Sequence, residues 1–214
     1  GQYTAAREHV EKALALFDIG SHQDGDFRYA QDIRIVCFCY RVWTLLNLGY
    51  PKQAVEALKE MEALSDGLLH PPSTALFLVT ACILHYWLHD TEKLQERARS
   101  LLASANQHGF VQWMYFGTFF MGWSQIEKGS GEAEIAQLSQ AAADWQANGN
   151  EVLFPFLRGV LANAYRTAGI AEKGLKAGEE GMVRIEQTRE RQEEARLHCL
   201  KGELLLIQND RQEQ

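Results

Sequence analysis

The 214-residue chain carries 21 Lys+Arg against 28 Asp+Glu, a formal net charge of −7, with 46% apolar and 23% charged residues. Those proportions exclude wholesale disorder, and cations scattered among carboxylates argue against a grip on nucleic-acid phosphate. No apolar run approaches the roughly 18 residues that span a bilayer, so a soluble, cytoplasmic chain with no membrane partner is expected.

The N-terminus, GQYTAAREHVEKA, is polar and helical rather than basic then greasy, so no signal peptide is expected. An amphipathic helix is predicted over 4–17. The segment Asp18–Arg28 (DIGSHQDGDFR) follows, and its two glycines and three aspartates mark a surface loop. It lacks the spacing and terminal bidentate Glu of an EF-hand, so calcium is not expected there. Beyond it the chain alternates. Broadly apolar helices are predicted over 31–48, 72–88, 110–128, 151–168 and 190–208. Amphipathic helices are predicted over 52–66, 91–107, 132–147 and 171–187, with the stripe clearest at Ala54, Leu58, Met61 and Leu64. Pro51 and Pro71-Pro72 open helices at their first turns, and Gly67, Gly109 and Gly149 close them. Nothing alternates with period two for long enough to form a strand. The predicted class is all-α.

Helix-ending turns recur every 40 residues, at Gly49, His89, Gly129, Gly169 and Asn209. Seven residues before each stand Val42, Cys82, Gly122, Ala162 and Gly202, mostly small side chains that let a neighbouring helix approach closely. A two-helix unit repeated at this period predicts an α-solenoid of about five repeats, one domain spanning 1–214. The chain starts in the second helix of a pair and stops after the first helix of another, leaving Leu200, Leu204 and Ile207 without their usual cover. A segment of a longer array is expected, or ends that pack on another copy to give a homo-oligomer.

No motif carries a catalytic mechanism. There is no GxxxxGK[ST], HExxH, CxxC or GxSxG. Gly169, Gly174, Gly178 and Gly181 fall at helical spacings and read as close helix packing. Cys37, Cys39, Cys82 and Cys199 are too dispersed for a disulfide framework and read as small buried hydrophobes. His85, His89 and Asp90 offer two imidazoles at i and i+4, yet no third ligand, so no metal and no other cofactor are expected. The stretch 110–123, FVQWMYFGTFFMGW, places seven aromatics in fourteen positions. It reads either as a helix buried all round or as part of a groove for a peptide, helix or small apolar ligand.

The small-residue position, the turn, and Ala54 or Gly174 after it resemble a tetratricopeptide-like (TPR-like) helix–turn–helix, although 40 residues exceeds the usual roughly 34. The stretches TLLNLGYPKQAVEAL, ANQHGF, Gly122-Trp123 through Gly129, LANAYRTAG with EKGL, and ARLHCLKGELLL are also similar, in that order, to a larger pattern. It is the C-terminal repeat region of large bacterial proteins that carry a class III adenylate/guanylate cyclase or LuxR-type module and a STAND-type ATPase. The resemblance implies a right-handed solenoid serving as a regulatory arm in a signalling protein, with catalysis elsewhere. No catalytic residue carries over.

In such stacks the first helix of each pair lines the concave face. With the turn as phase marker, that face takes Val36, Cys39, Trp43, Leu46, Tyr86, Trp87, Phe116, Phe119, Trp123, Phe156, Asn163 and Arg166. Trp43, Tyr86, Trp87, Phe116, Phe119, Trp123, Phe156, Asn163 and Arg166 are the candidate binding residues. The rings supply affinity, while Asn163 and Arg166 orient a polar or carboxylate group. The expected partner is a protein or peptide segment, or another domain of the parent chain. The rivals are a self-assembly module, a sensor domain of a LuxR-type regulator, and a small-molecule enzyme centred on His85 or His198.

Overall fold

The computed structural model describes residues 2–19, 31–68, 70–129 and 131–212. Among them are ten α-helices, one 3-10 turn and no strand. The helices are α1 (Tyr3–Ile19), α2 (Ile33–Asn47), α3 (Pro51–Leu68), α4 (Pro71–Trp87) and α5 (Thr91–His108). Then come α6 (Val111–Glu127), α7 (Glu132–Ala147), α8 (Phe154–Thr167), α9 (Ala171–Thr188), the 3-10 turn Arg191–Glu193 and α10 (Glu194–Gln212). No helix among the described residues is long and apolar enough to cross a membrane.

Backbone chemistry at the turns explains the alternation. Gly49 adopts φ 82°, its N–H donates to Leu46 O at 3.1 Å, and Tyr50 N–H donates to Leu45 O at 2.9 Å. This is a Schellman motif, which satisfies the last carbonyls of α2 and reverses the chain. The pair of bonds returns at His89 (φ 54°) with Asp90, and at Gly169 (φ 70°) with Ile170. Gly129 (φ 94°) makes the first bond, to Ile126 O at 3.0 Å. Three of the expected turns are therefore one structure repeated, and the fourth shares its positive φ and its first bond. A second series at the same interval, Gly109, Gly149 and Arg189, also has positive φ and ends α5, α7 and α9.

The fifth expected turn does not form. α10 runs straight through Asn209 to Gln212. Asparagine tolerates the left-handed region but does not require it, and here the helical hydrogen-bond ladder continues instead. Gly67 likewise lies inside α3 rather than ending it. Of the expected loop Asp18–Arg28, Asp18 and Ile19 belong to α1, and the remainder lies outside the described residues.

Two compact units result, with the boundary after Met114, inside α6. In the unit Gln2–Met114, α2 packs with α3, α4 with α5, and α4 against both α2 and α3. α4 is buried almost all round, through Ala75, Phe77, Leu78, Ile83 and Leu84. In the unit from Tyr115, α8 packs with α9, and α10 lies against both. Its core contains Phe119, Phe120, Leu138, Phe156, Ile185 and Leu197.

The small-residue positions work as read at Gly122, where a Cβ would meet Glu134 O at 3.3 Å and Leu138 Cβ at 3.4 Å on α7. Gly202 has open space instead. Leu200 and Leu204, expected to be uncovered, are buried; the leucines that α10 exposes are Leu205 (40%) and Leu206 (65%). Gly174 accounts for the difference. Lacking a side chain, it admits Leu204 so closely that a Cβ would stand 2.6 Å from Leu204 Cδ2.

Candidate functional site

In the first unit, α2 begins on a firm cap. Asp32 Oδ1 accepts from Arg34 N–H at 2.8 Å, and Arg34 Nη2 lies 2.8 Å from Asp32 Oδ2. Burial pushes the Asp32 carboxyl up, but the Arg34 hydrogen bonds and charge prevail and hold it below its ordinary value. One turn apart on this helix, Tyr40 and Trp43 meet edge to face, 5.8 Å between centroids at 83°. Tyr40 is 54% exposed and Trp43 half-buried, with its Nε1–H buried and without a hydrogen-bond partner. Tyr86 and Trp87 meet in the same manner at the end of α4, 5.9 Å apart, Tyr86 buried and Trp87 half-buried. Val36 and Leu46 are half-buried, whereas Cys39 is core, its thiol pushed up to about 12 by burial.

Another part of α2 faces a groove of about 450 Å³. Arg41 spans it, with Nε 2.9 Å from Glu11 Oε1 on α1 and Nη1 2.8 Å from Glu60 Oε2 on α3. Its guanidinium lies over the Phe38 ring at 5.8 Å. Arg97 of α5 repeats the device, 2.6 Å from Glu62 Oε1 on α3 and over the Phe77 ring at 5.4 Å.

In the second unit the expected aromatic face is spent on the interior. Phe116, Phe119, Phe120, Trp123 and Phe156 are all buried. Phe116 packs edge to face on Trp145 of α7 at 4.4 Å, and Phe120 lies tilted against Phe156 of α8 at 6.2 Å. With apolar positions around so much of α6, these rings fill the core, where no partner can reach them. Asn163 is also buried, and its Oδ1 accepts from Arg166 Nε at 2.9 Å. Arg166 Nε further lies 3.1 Å from Glu203 Oε2 of α10.

This unit also carries a groove of about 600 Å³ bordered by the end of α7, the start of α8 and one face of α9. Arg158 crosses it, over the Phe154 ring at 4.8 Å, with Nη1 3.2 Å from Glu180 Oε2 and Nη2 3.4 Å from Gln146 Oε1. Arg184 pairs with Glu151 on the rim, and Lys176, Glu179 and Val183 complete the wall. Just before α8, Leu153 takes φ 63°, a strained conformation for a leucine. Trp145 Nε1–H donates to the neighbouring Val152 O at 3.2 Å. Neither groove was anticipated. Their common signal, an arginine three or four residues after a phenylalanine on a first helix, is legible at Phe38–Arg41 and Phe154–Arg158.

The histidines and cysteines lie as follows. His89 occupies the left-handed turn, while His85 lies inside α4, its Nδ1 3.7 Å from Asp90 Oδ2. Burial lowers the His85 pKa, against the pull of Asp90. No three His, Cys, Asp or Glu residues among those described gather as metal ligands do. All four cysteines are free, and Cys199 is exposed rather than buried as expected. The surfaces on offer are thus edge-to-face aromatic pairs and arginine-crossed grooves, which can hold a polypeptide by ring contact and exchange of ion pairs. Comparison with known proteins found no matching family model, no similar curated protein and no similar solved structure.

Proposed function

We propose that the chain is a non-catalytic protein-interaction domain, a right-handed TPR-like solenoid of about five repeats. It serves as the regulatory arm of a larger bacterial signalling protein of the cyclase–ATPase type and works in the cytoplasm. The observation that carries this reading is the Schellman turn repeated at 40-residue intervals between paired helices. Repeats of this kind present extended surfaces whose individual units are free to vary.

The partner is a polypeptide segment, from another domain of the parent or from a second protein. Of the surfaces described, the Tyr40–Trp43 face of α2 suits it best. An exposed ring beside a half-buried indole supplies apolar contact for a docking segment. Peptides tiled across the parent protein, titrated against this chain while tryptophan fluorescence is followed, test the proposal. Binding should weaken about tenfold or more in Tyr40→Ala, with helicity unchanged, since that ring carries little of the fold. Turnover of a nucleotide by this segment alone would sink the reading.

Self-association is a second reading, favoured by the exposed Leu205 and Leu206 on α10. Sedimentation of wild type against Leu206→Glu distinguishes it, because the tyrosine variant would leave that association intact.

A further inference from the structure

The turn between α9 and α10 buries a carboxyl group. Glu193 is 1% exposed, and its Oε1 has no hydrogen-bond partner. Its Oε2 accepts from Arg196 Nη1 at 3.4 Å, longer than the roughly 2.7–2.9 Å of a charge-assisted bond. The carboxyl is wedged against α8, for a Cβ on Gly159 would come within 3.2 Å of Oε2.

Three periods earlier, 120 positions, the same places hold different chemistry: Ser73 for Glu193, His70 for Glu190 and Cys39 for Gly159. Ser73 is 0% exposed, and its needs are met: Oγ accepts from Asp32 N–H at 2.9 Å and lies 2.8 Å from His70 Nδ1. Where one unit buries a small neutral hydroxyl with two partners, the other buries a carboxyl with half its acceptors unmet. A second carboxyl, Glu190, stands in the place of the histidine. Gly159 provides the volume that the longer side chain occupies.

Apart from Arg196, whose guanidinium comes to 3.4 Å, the charges around Glu193 do not favour its ionised form. Glu190, in the same connection, accepts from Leu153 N–H, is drawn toward Arg184 of α9, and repels a charge on Glu193. Arg196 of α10 is itself largely buried and is also drawn by Glu203. Arg158 of α8 is engaged by Glu180 and Gln146, and Arg191 by Glu194 at 3.8 Å. An unpartnered buried carboxylate is far costlier than the corresponding acid.

We propose that Glu193 is a proton-held latch: as the neutral acid it lets the turn seat α10 on α8 and α9, and on losing its proton it loosens that seating. The latch does not depend on the binding role proposed above. Burial first, then the Glu190 charge, push the carboxyl up from 4.5 to about 8. Between those values the folded chain holds a proton that the unfolded chain has released. Stability of the α10 docking therefore falls as pH rises through this window and levels off above about 8.

Hydrogen exchange followed by mass spectrometry on the full chain, corrected for intrinsic rates, tests this, with α4 and α5 as the internal reference. From pH 6 to pH 9, protection of α10 should fall on the order of tenfold to a hundredfold, with the reference flat. Glu193→Gln should abolish the fall and keep α10 protected at pH 9. A flat wild-type profile overturns the proposal. So does loss of α10 protection at pH 6 in the glutamine variant, because Glu193 would then be an ionised partner of Arg196. Should that variant misfold, Glu190→Gln removes the repelling charge and should move the upper end of the window to lower pH; no movement refutes the latch.

Discussion

α3 and α9 stand three periods apart, each following a left-handed turn, and they solve one packing problem in opposite ways. The inward positions of α3 are Ala54, Ala57 and Met61, all buried; their counterparts on α9 are Gly174, Ala177 and Gly181. On α3 the helix brings its own side chain to the core. On α9 the helix withdraws, and α10 fills the space with Leu204 against Gly174 and Leu197 against Gly181. The difference teaches that a period can be conserved in backbone while the ownership of core volume passes from one helix to the next. It also separates a helix that supplies packing from one whose place depends on its neighbour.

Substitutions can break this contrast, in order of expected effect. Met61→Ala removes a fully buried side chain, and should cost about 2–5 kcal/mol by urea denaturation. Gly174→Ala should cost about 1–3 kcal/mol, because both Leu204 methyls lie within 3.0 Å of the new carbon and Tyr165 Cβ within 3.2 Å. If it stabilises instead, α10 yields easily and its leucines are not true owners of that space. Gly178→Ala is the control that should gain roughly 0.5–1 kcal/mol, since a Cβ there meets nothing and helix propensity improves. A loss at Gly178 would show that α9 needs glycine for a reason other than packing.

Much of the fold was legible because its signals are local. Proline at the first turn of α3 and α4, and glycine where φ must be positive, mark boundaries through the backbone alone. His89 took the same conformation without glycine and was found only by counting; Arg189, 40 residues after Gly149, was missed because nothing in an arginine announces a turn. The candidate surface was less legible. Phase along a first helix says which residues share a face but not how many neighbours cover it, so Trp43 and Phe119 looked alike. One is half-buried beside an exposed tyrosine, the other core. Charges were harder still: the pairing of Arg41 with both Glu11 and Glu60 joins three helices and has no spacing of its own.

The helix contacts described above all join neighbours or next neighbours along the chain. Closing such short loops costs little chain entropy, so a helix pair can form before the rest of the chain has found its place. Assembly then has no single nucleus to lose, and it can begin at several turns at once. By the same token, the effect of a substitution should concentrate in the helices that touch it, which hydrogen exchange followed helix by helix would show as unequal loss of protection.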